Sequence, residues 1–80
     1  MEEGLDENKR QKIRSRFGLL VKEKRLALGW SQEELAFQSG LHRTYIGHVE
    51  RAERNLSLEN IFVLAYALRC HPRDLIPDPP

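Results

Sequence analysis

The sequence is poor in the residues that build disulfides and metal centres, with one cysteine, Cys70, among 80 residues. A single cysteine cannot close a disulfide within the chain, and His42, His48 and His71 lack metal-ligand spacing. A glycine-rich phosphate loop is missing, and no candidate nucleophile has an obvious partner residue. The sequence therefore predicts neither an enzyme nor a cofactor, and Cys70 is expected to be a buried or interfacial filler.

Long apolar segments are missing too, and the N-terminal residues are not expected to form a leader sequence. No stretch approaches the roughly 18 apolar residues that a membrane-spanning helix needs. Residues 1–8 carry four acids and no base, a charge pattern unlike that of a secretory signal. Together with the isolated cysteine, these absences predict a cytoplasmic protein without a membrane partner.

The residues that are present suit one folded domain. Apolar residues make up 40% of the chain and charged residues 31%. A chain of this length buries only about 60–65% of its unfolded surface, so the core of a lone monomer should be marginal. The net charge of +1 indicates no partner, but residues 9–30 hold eight bases against one acid. That stretch could supply phosphate contacts, although a solvated helix face is the simpler interpretation of a charge run alone.

Apolar periodicity predicts an all-α protein with short joints and no strand. Residues 1–12 are expected to form an acidic and polar extension, open to disorder, before a domain at residues 13–76 and a proline-rich tail at residues 77–80. Gly29 and Gly40 are the expected helix stops, and Ser31 and Ser57 the expected caps. The five expected helices span about 8–28, 31–39, 43–51, 57–68 and 72–76.

The second and third helices are expected to form a helix-turn-helix unit over about Gln32 to Arg51. Their joint at residues 39–42 is too short for an antiparallel pair, so the helices should cross steeply. Polar residues spaced i, i+1, i+4 and i+5 give the third helix one outward face, which fits the major groove of DNA. A helical hairpin without a DNA role is the alternative. The expected core positions are Leu35, Ala36, Gly40, Ile46 and Val49, and the outward positions are Arg43, Thr44, Gly47 and His48.

These segments resemble a known family. The runs Ser31–Ala36, Gly40–Leu41, Arg43–Ile46, Val49–Arg51 and Arg54–Ser57 are similar to the lambda-repressor-like, or Cro-type, helix-turn-helix family. Residues 35–41 and 43–46 are especially similar to the small controller proteins of restriction–modification systems. The resemblance covers about residues 17–76 and implies a compact five-helix DNA-binding domain, a homodimer and a palindromic operator.

Residues of the third helix are the leading candidates for reading DNA. Arg43 can bond guanine through two hydrogen bonds, with a phosphate contact as the alternative. Thr44 could touch a thymine methyl group or a base acceptor, and Tyr45 is expected to divide its ring between the core and a phosphate-facing hydroxyl. Gly47 is expected to allow close approach to the groove. For His48, a base contact, a phosphate contact and neither role all stay open.

The resemblance assigns further roles outside that helix. It implies that Gln32 anchors a phosphate at the positive end of the second helix. It also implies that Arg54 and Asn55 contact the DNA backbone, with a base contact open to Arg54 and loop hydrogen bonding as the alternative for both. Arg25 and Glu50 match a family pair that ties the first helix to the third, so both are expected to be structural.

The expected function is that of a small transcriptional regulator that binds double-stranded operator DNA as a homodimer, with RNA polymerase as a candidate further partner. The alternative is a protein-interaction module of the same fold, such as an antitoxin or an adaptor. A marginal monomer core favours dimerisation, which buries additional area. The expected dimer surface comes from the fourth and fifth helices, with Phe62, Tyr66, Leu75 and Ile76 as its candidate residues.

Overall fold

The computed structural model describes residues 4–80 and is all-helical over that range, which confirms the expected fold class. Residues 4–80 contain four α-helices and one short 3-10 turn where five helices were expected. The last segment forms only i to i+3 bonds, such as Asp74 N to His71 O at 2.8 Å, because Pro72 and Pro77 leave too few residues for an α-helix. The elements are α1 (Glu7–Ala27), α2 (Gln32–Ser39), α3 (Arg43–Glu50), α4 (Leu58–Ala67) and the 3-10 turn (Pro72–Leu75).

Helix α1 begins earlier than expected. The Asp6 carboxylate accepts a hydrogen bond from the Lys9 backbone amide at 2.8 Å, so it caps the helix and α1 starts at Glu7. Residues 7–12, expected in the N-terminal extension, are therefore part of α1, while residues 1–3 of that extension lie outside the described residues. None of the helices within residues 4–80 has both the length and the hydropathy needed to cross a bilayer.

The joint between α2 and α3 follows from two local signals. The Ser31 hydroxyl accepts from the Glu34 amide at 3.0 Å and opens α2. The Glu34 carboxylate accepts from the Gln38 side chain at 2.7 Å. Gly40 has a φ of 73°, a left-handed conformation that glycine adopts without steric cost. The chain therefore turns sharply after Ser39 and re-enters a helix at Arg43.

The core draws on all five elements. Its largest fully buried side chains include Val21 from α1, Leu35 from α2, Ile46 from α3, Leu64 from α4 and Leu75 from the 3-10 turn. The placement of Leu75 in the dimer surface was wrong, because its side chain is 0% exposed. The 3-10 turn packs on both α1 and α4, and this packing draws Leu75 into the space between them.

A glycine sets the distance between α1 and α3. A Cβ atom at Gly18 would lie 2.5 Å from the Val49 carbonyl oxygen and 2.9 Å from the Glu50 carbonyl oxygen. Only a residue without a side chain lets the two backbones approach this closely. Gly18 thus places the end of α3 directly against α1, where the next contacts orient it.

Candidate nucleic-acid interface

Helix α3 has a buried side and an open side. Ile46 and Val49 are 0% and 1% exposed and join the core, whereas Arg43 and Thr44 lie on the exposed side. The open side is the polar face that was expected to enter a groove of DNA. Its position depends on the contacts that attach α3 to α1, α2 and α4.

A buried ion pair attaches the end of α3 to α1. Arg25 donates from Nε to Glu50 Oε2 at 2.7 Å and from Nη2 to Glu50 Oε1 at 3.0 Å, and its Nη1 donates to the Trp30 carbonyl oxygen at 2.8 Å. The two side chains are 8% and 4% exposed. Such paired bonds are short and directional, so they define the angle as well as the distance between the helices. Arg25 is thereby oriented toward the protein interior.

Gln32, expected to contact a phosphate, is half-buried and joins this ion pair. Its side-chain amide donates from Nε2 to Glu50 Oε1 at 3.1 Å. The contact links the first residue of α2 to the last residue of α3, so one carboxylate holds three helices together. In this arrangement Gln32 supports Glu50, and its phosphate contact stays a prediction.

A second cluster attaches α3 to α4. The Tyr45 hydroxyl accepts from Asn60 Nδ2 at 3.0 Å, and the Arg54 guanidinium carbon lies 5.0 Å from the centroid of the Tyr45 ring. A guanidinium over an aromatic face is attracted by the negative potential that the ring quadrupole produces there, which favours this position of the loop arginine. The Tyr45 hydroxyl keeps its own proton for a further acceptor. Asn60 was missed by the sequence analysis, because its partner lies 15 residues away on another helix.

The remaining predicted contact residues occupy the far end of α3 and the following loop. His48 is partly exposed, with Nε2 at 3.9 Å from Glu53 Oε1. Gly47 is covered by the Arg51 guanidinium, whose Nη1 would lie 3.1 Å from a Cβ atom at that position. Asn55 is exposed in the loop before α4. The space expected to lie open above Gly47 is therefore filled by an arginine that the sequence analysis did not single out.

The basic stretch lies along α1. Arg14 is paired with Glu7 at 2.7 Å, and Arg25 with Glu50. Arg16 donates to the Asp78 carbonyl oxygen at 3.3 Å. The exposed bases of this helix are Lys9, Arg10, Lys12, Arg16 and Lys22.

An apolar stripe runs along the outer side of α4. Phe62 and Tyr66, expected in a dimer surface, are 48% and 86% exposed, and Leu58 extends the stripe by one more helical turn at 70%. These residues are spaced four apart and so share one face. Ile76, the remaining predicted residue of this surface, is also exposed.

Comparison with known proteins identifies the family. A helix-turn-helix family model matches residues 21–75. The control protein C.BamHI of Bacillus amyloliquefaciens is 49% identical over 65 residues, which are 80% of each chain. This chain belongs to the helix-turn-helix family of controller proteins. The predicted resemblance to lambda-repressor-like proteins, and to restriction–modification controllers among them, is thereby confirmed.

Solved structures of controller proteins share the fold. The restriction–modification controller protein C.AhdI of Aeromonas hydrophila is 54% identical, with a TM-score of 0.77 over 79% of this chain and 96% of that one. The controller protein C.Esp1396I, solved as a tetramer in complex with its natural 35-base-pair operator, is 33% identical, with a TM-score of 0.74 over 79% and 83%. The contacts described above therefore belong to a controller-type helix-turn-helix domain.

Proposed function

We propose that this protein is a sequence-specific regulator of transcription, of the restriction–modification controller type, which acts as a homodimer on a palindromic operator. The observation that carries the proposal is the arrangement of α3. Its inner side is buried, its outer side presents Arg43 and Thr44, and both of its ends are attached to other helices. A helix held in this way is already fixed in position, so its polar face can enter the major groove without first having to become ordered.

Arg43 and Thr44 are the proposed base-reading residues. Both lie in the first turn of α3, the part of a recognition helix that reaches base edges. An arginine with two hydrogen bonds to guanine contributes about 1–3 kcal/mol of discrimination. Arg54 is proposed to contact DNA from its place above the Tyr45 ring, with Asn55 beside it as a backbone contact. The exposed bases of α1 supply charge that favours association with any duplex.

The apolar stripe on α4 supports the homodimer. Leu58, Phe62 and Tyr66 would leave a contiguous apolar surface in water, and such surfaces commonly mark interfaces. The solved C.Esp1396I complex is a tetramer on operator DNA, so a member of this family does assemble on its site. In a symmetric dimer, two copies of α3 would enter successive major grooves, about 34–36 Å apart along the duplex. RNA polymerase is a proposed further partner of the DNA-bound form.

Selection of duplexes from a random pool tests the proposal. We expect the protein to enrich a palindrome whose half-sites lie about one helical turn apart, about 10–10.5 base pairs. Arg43→Ala should lose preference at one position in each half-site. Arg73→Ala, which removes the same charge from the exposed face of the 3-10 turn, should enrich the same sequence as the unmodified protein.

Failure to enrich any sequence, under conditions where the protein is folded, would contradict DNA recognition and favour a protein-interaction module. Enrichment of a single half-site without symmetry would contradict the dimer alone. Retention of every base preference by Arg43→Ala would contradict the proposed role of that residue.

A further inference from the structure

Arg51 is an exposed residue at the end of α3. It follows α3 as its C-terminal cap, with φ −90° and ψ 8°, so its backbone continues the helix by nearly one more residue. Its position lies four residues after Gly47 and eight after Arg43, which places all three on one helical face. The Arg51 side chain is 57% exposed, unlike the buried arginine of α1.

The Arg51 guanidinium does not extend into solvent away from the helix. Measured from the Cβ position of Gly47, its Nη1, Nη2 and Cζ atoms lie at 3.1, 3.6 and 3.7 Å. All three atoms therefore lie over Gly47, one turn back along α3. A side chain larger than alanine at residue 47 would take up that space, so the missing side chain of Gly47 leaves room for the Arg51 guanidinium at this position.

The loop after α3 contacts Arg51 in this position. Ala52 takes the left-handed conformation with φ 65°, and Glu53 N donates to the His48 carbonyl oxygen at 2.8 Å. The left-handed residue and this hydrogen bond are features of a Schellman motif, which returns the chain toward the helix end. The Glu53 carboxylate then accepts from Arg51 Nε at 3.3 Å. An exposed pair adds little stability, and in this structure the bond turns Arg51 Nε toward Glu53.

We infer that Arg51 is a further specificity-determining residue of the DNA-reading face, lying over Gly47, bonded to Glu53 and directed at a base edge. The inference rests on the proposed function. A guanidinium lying across the middle of the face that enters the groove meets base edges, because the phosphates lie at the rims of the groove. Guanine, with acceptors at N7 and O6, is the base whose chemistry matches a planar two-donor fork.

The test compares the unmodified protein with Arg51→Ala and Arg51→Lys. The probe is the palindrome enriched by the unmodified protein, together with duplexes that change one base pair at a time, titrated by fluorescence anisotropy at one salt concentration. Arg51→Ala should lose about 5- to 150-fold of discrimination at one G·C pair per half-site and keep the preferences elsewhere. Arg51→Lys, which keeps the charge but lacks the planar fork, should lose most of the same preference.

Equal weakening of every duplex by Arg51→Ala, with all base preferences kept, would overturn the inference and make Arg51 a phosphate contact. That result would leave the proposed function intact, whereas a failure of the unmodified protein to enrich any palindrome would count against the proposed function itself. Both Arg51 variants should keep the helical signal and the thermal midpoint of the unmodified protein, since residue 51 is exposed.

A double-mutant cycle tests whether Gly47 affects base preference through the Arg51 guanidinium. Gly47→Ala would place a Cβ atom 3.1 Å from Arg51 Nη1, so the guanidinium should shift by a few tenths of an ångström and the same base preference should weaken slightly. The substitution should have no further effect once Arg51 is alanine. Equal losses of base preference from Gly47→Ala in both backgrounds would show that Gly47 does not act through the Arg51 guanidinium. Gly47 would then affect the approach of DNA directly.

Discussion

Breaking the buried Arg25–Glu50 pair should destabilise the domain strongly. Replacing Glu50 by leucine would leave the Arg25 guanidinium, with its side chain 8% exposed, the Trp30 carbonyl oxygen as its one partner among the described residues. Removing one member of a buried pair costs about 3–5 kcal/mol. A domain of this length has about 4–12 kcal/mol of stability in total, so Glu50→Leu should bring the protein close to unfolding.

Removing both charges should be far less harmful than removing one. Arg25→Met alone leaves the Glu50 carboxylate with the Gln32 amide, and we expect a similar loss. The double variant leaves no unpaired charge, and apolar replacements of buried pairs are often neutral or stabilising. We therefore expect it to be more stable than either single variant. Its DNA affinity should still fall, because α3 loses the contact that orients it.

Urea unfolding followed by circular dichroism measures these effects. With a slope of about 1 kcal/mol per molar urea, a loss of 3 kcal/mol moves the midpoint by about 3 M. The protein concentration must be held constant, since dimerisation would couple to stability. The surface pair Arg14–Glu7, in which the Glu7 side chain is 78% exposed, is the matched control, and Glu7→Gln should cost less than about 1 kcal/mol. A double-variant loss equal to the sum of the single losses would refute the argument.

Three further predictions concern packing, assembly and titration. Gly18→Ala should lower the urea midpoint, because overpacking against the Val49 carbonyl costs about 1–3 kcal/mol and outweighs the gain in helix propensity of about 1 kcal/mol. Tyr66→Glu should shift sedimentation at tens of micromolar from dimer to monomer, whereas Leu19→Glu on α1 should not. Burial raises the pKa of the Cys70 thiol, so alkylation at pH 8 should be slower in the folded protein than in urea.

The raised pKa of Cys70 also makes the stability of the fold depend on pH. A raised pKa in the folded state favours the neutral thiol there, so its contribution to stability is present below the unfolded pKa of about 8.5. That contribution is lost as the pH rises through the folded-state pKa. Equal alkylation rates in the folded and unfolded protein would contradict the burial of Cys70. A higher urea midpoint for Gly18→Ala would contradict the packing prediction. An unchanged dimer for Tyr66→Glu would contradict the assembly prediction.

The parts of the fold that could be predicted from sequence depend on neighbouring residues. Ser31 and Gly40 begin and end α2 through contacts within a few positions, and such contacts leave a readable pattern. The buried side of α3 was predictable for the same reason, because Ile46 and Val49 repeat at helical spacing. The ion pair could be predicted only through the family resemblance, because Arg25 and Glu50 lie 25 residues apart.

The parts that were missed depend on distant packing. From the sequence, Gly18 is only a residue that weakens a helix. Its role depends on the Val49 carbonyl oxygen, which packs against it from 31 positions later in the chain. Leu75 lies in a short segment flanked by prolines, where the sequence gives no sign that a leucine is buried. It is buried because the 3-10 turn packs on α1 and α4. The sequence predicts Arg51 only as the end of α3, because its position over Gly47 depends on the loop conformation at Ala52.

One titration tests the central claim most directly. Fluorescence anisotropy at a single salt concentration compares the enriched palindrome with a scrambled duplex of the same length and composition. We expect the unmodified protein to bind the palindrome at least about 1,000-fold more tightly, and Arg43→Ala to lose much of that ratio. Equal affinity of the unmodified protein for both duplexes would contradict sequence-specific recognition by α3.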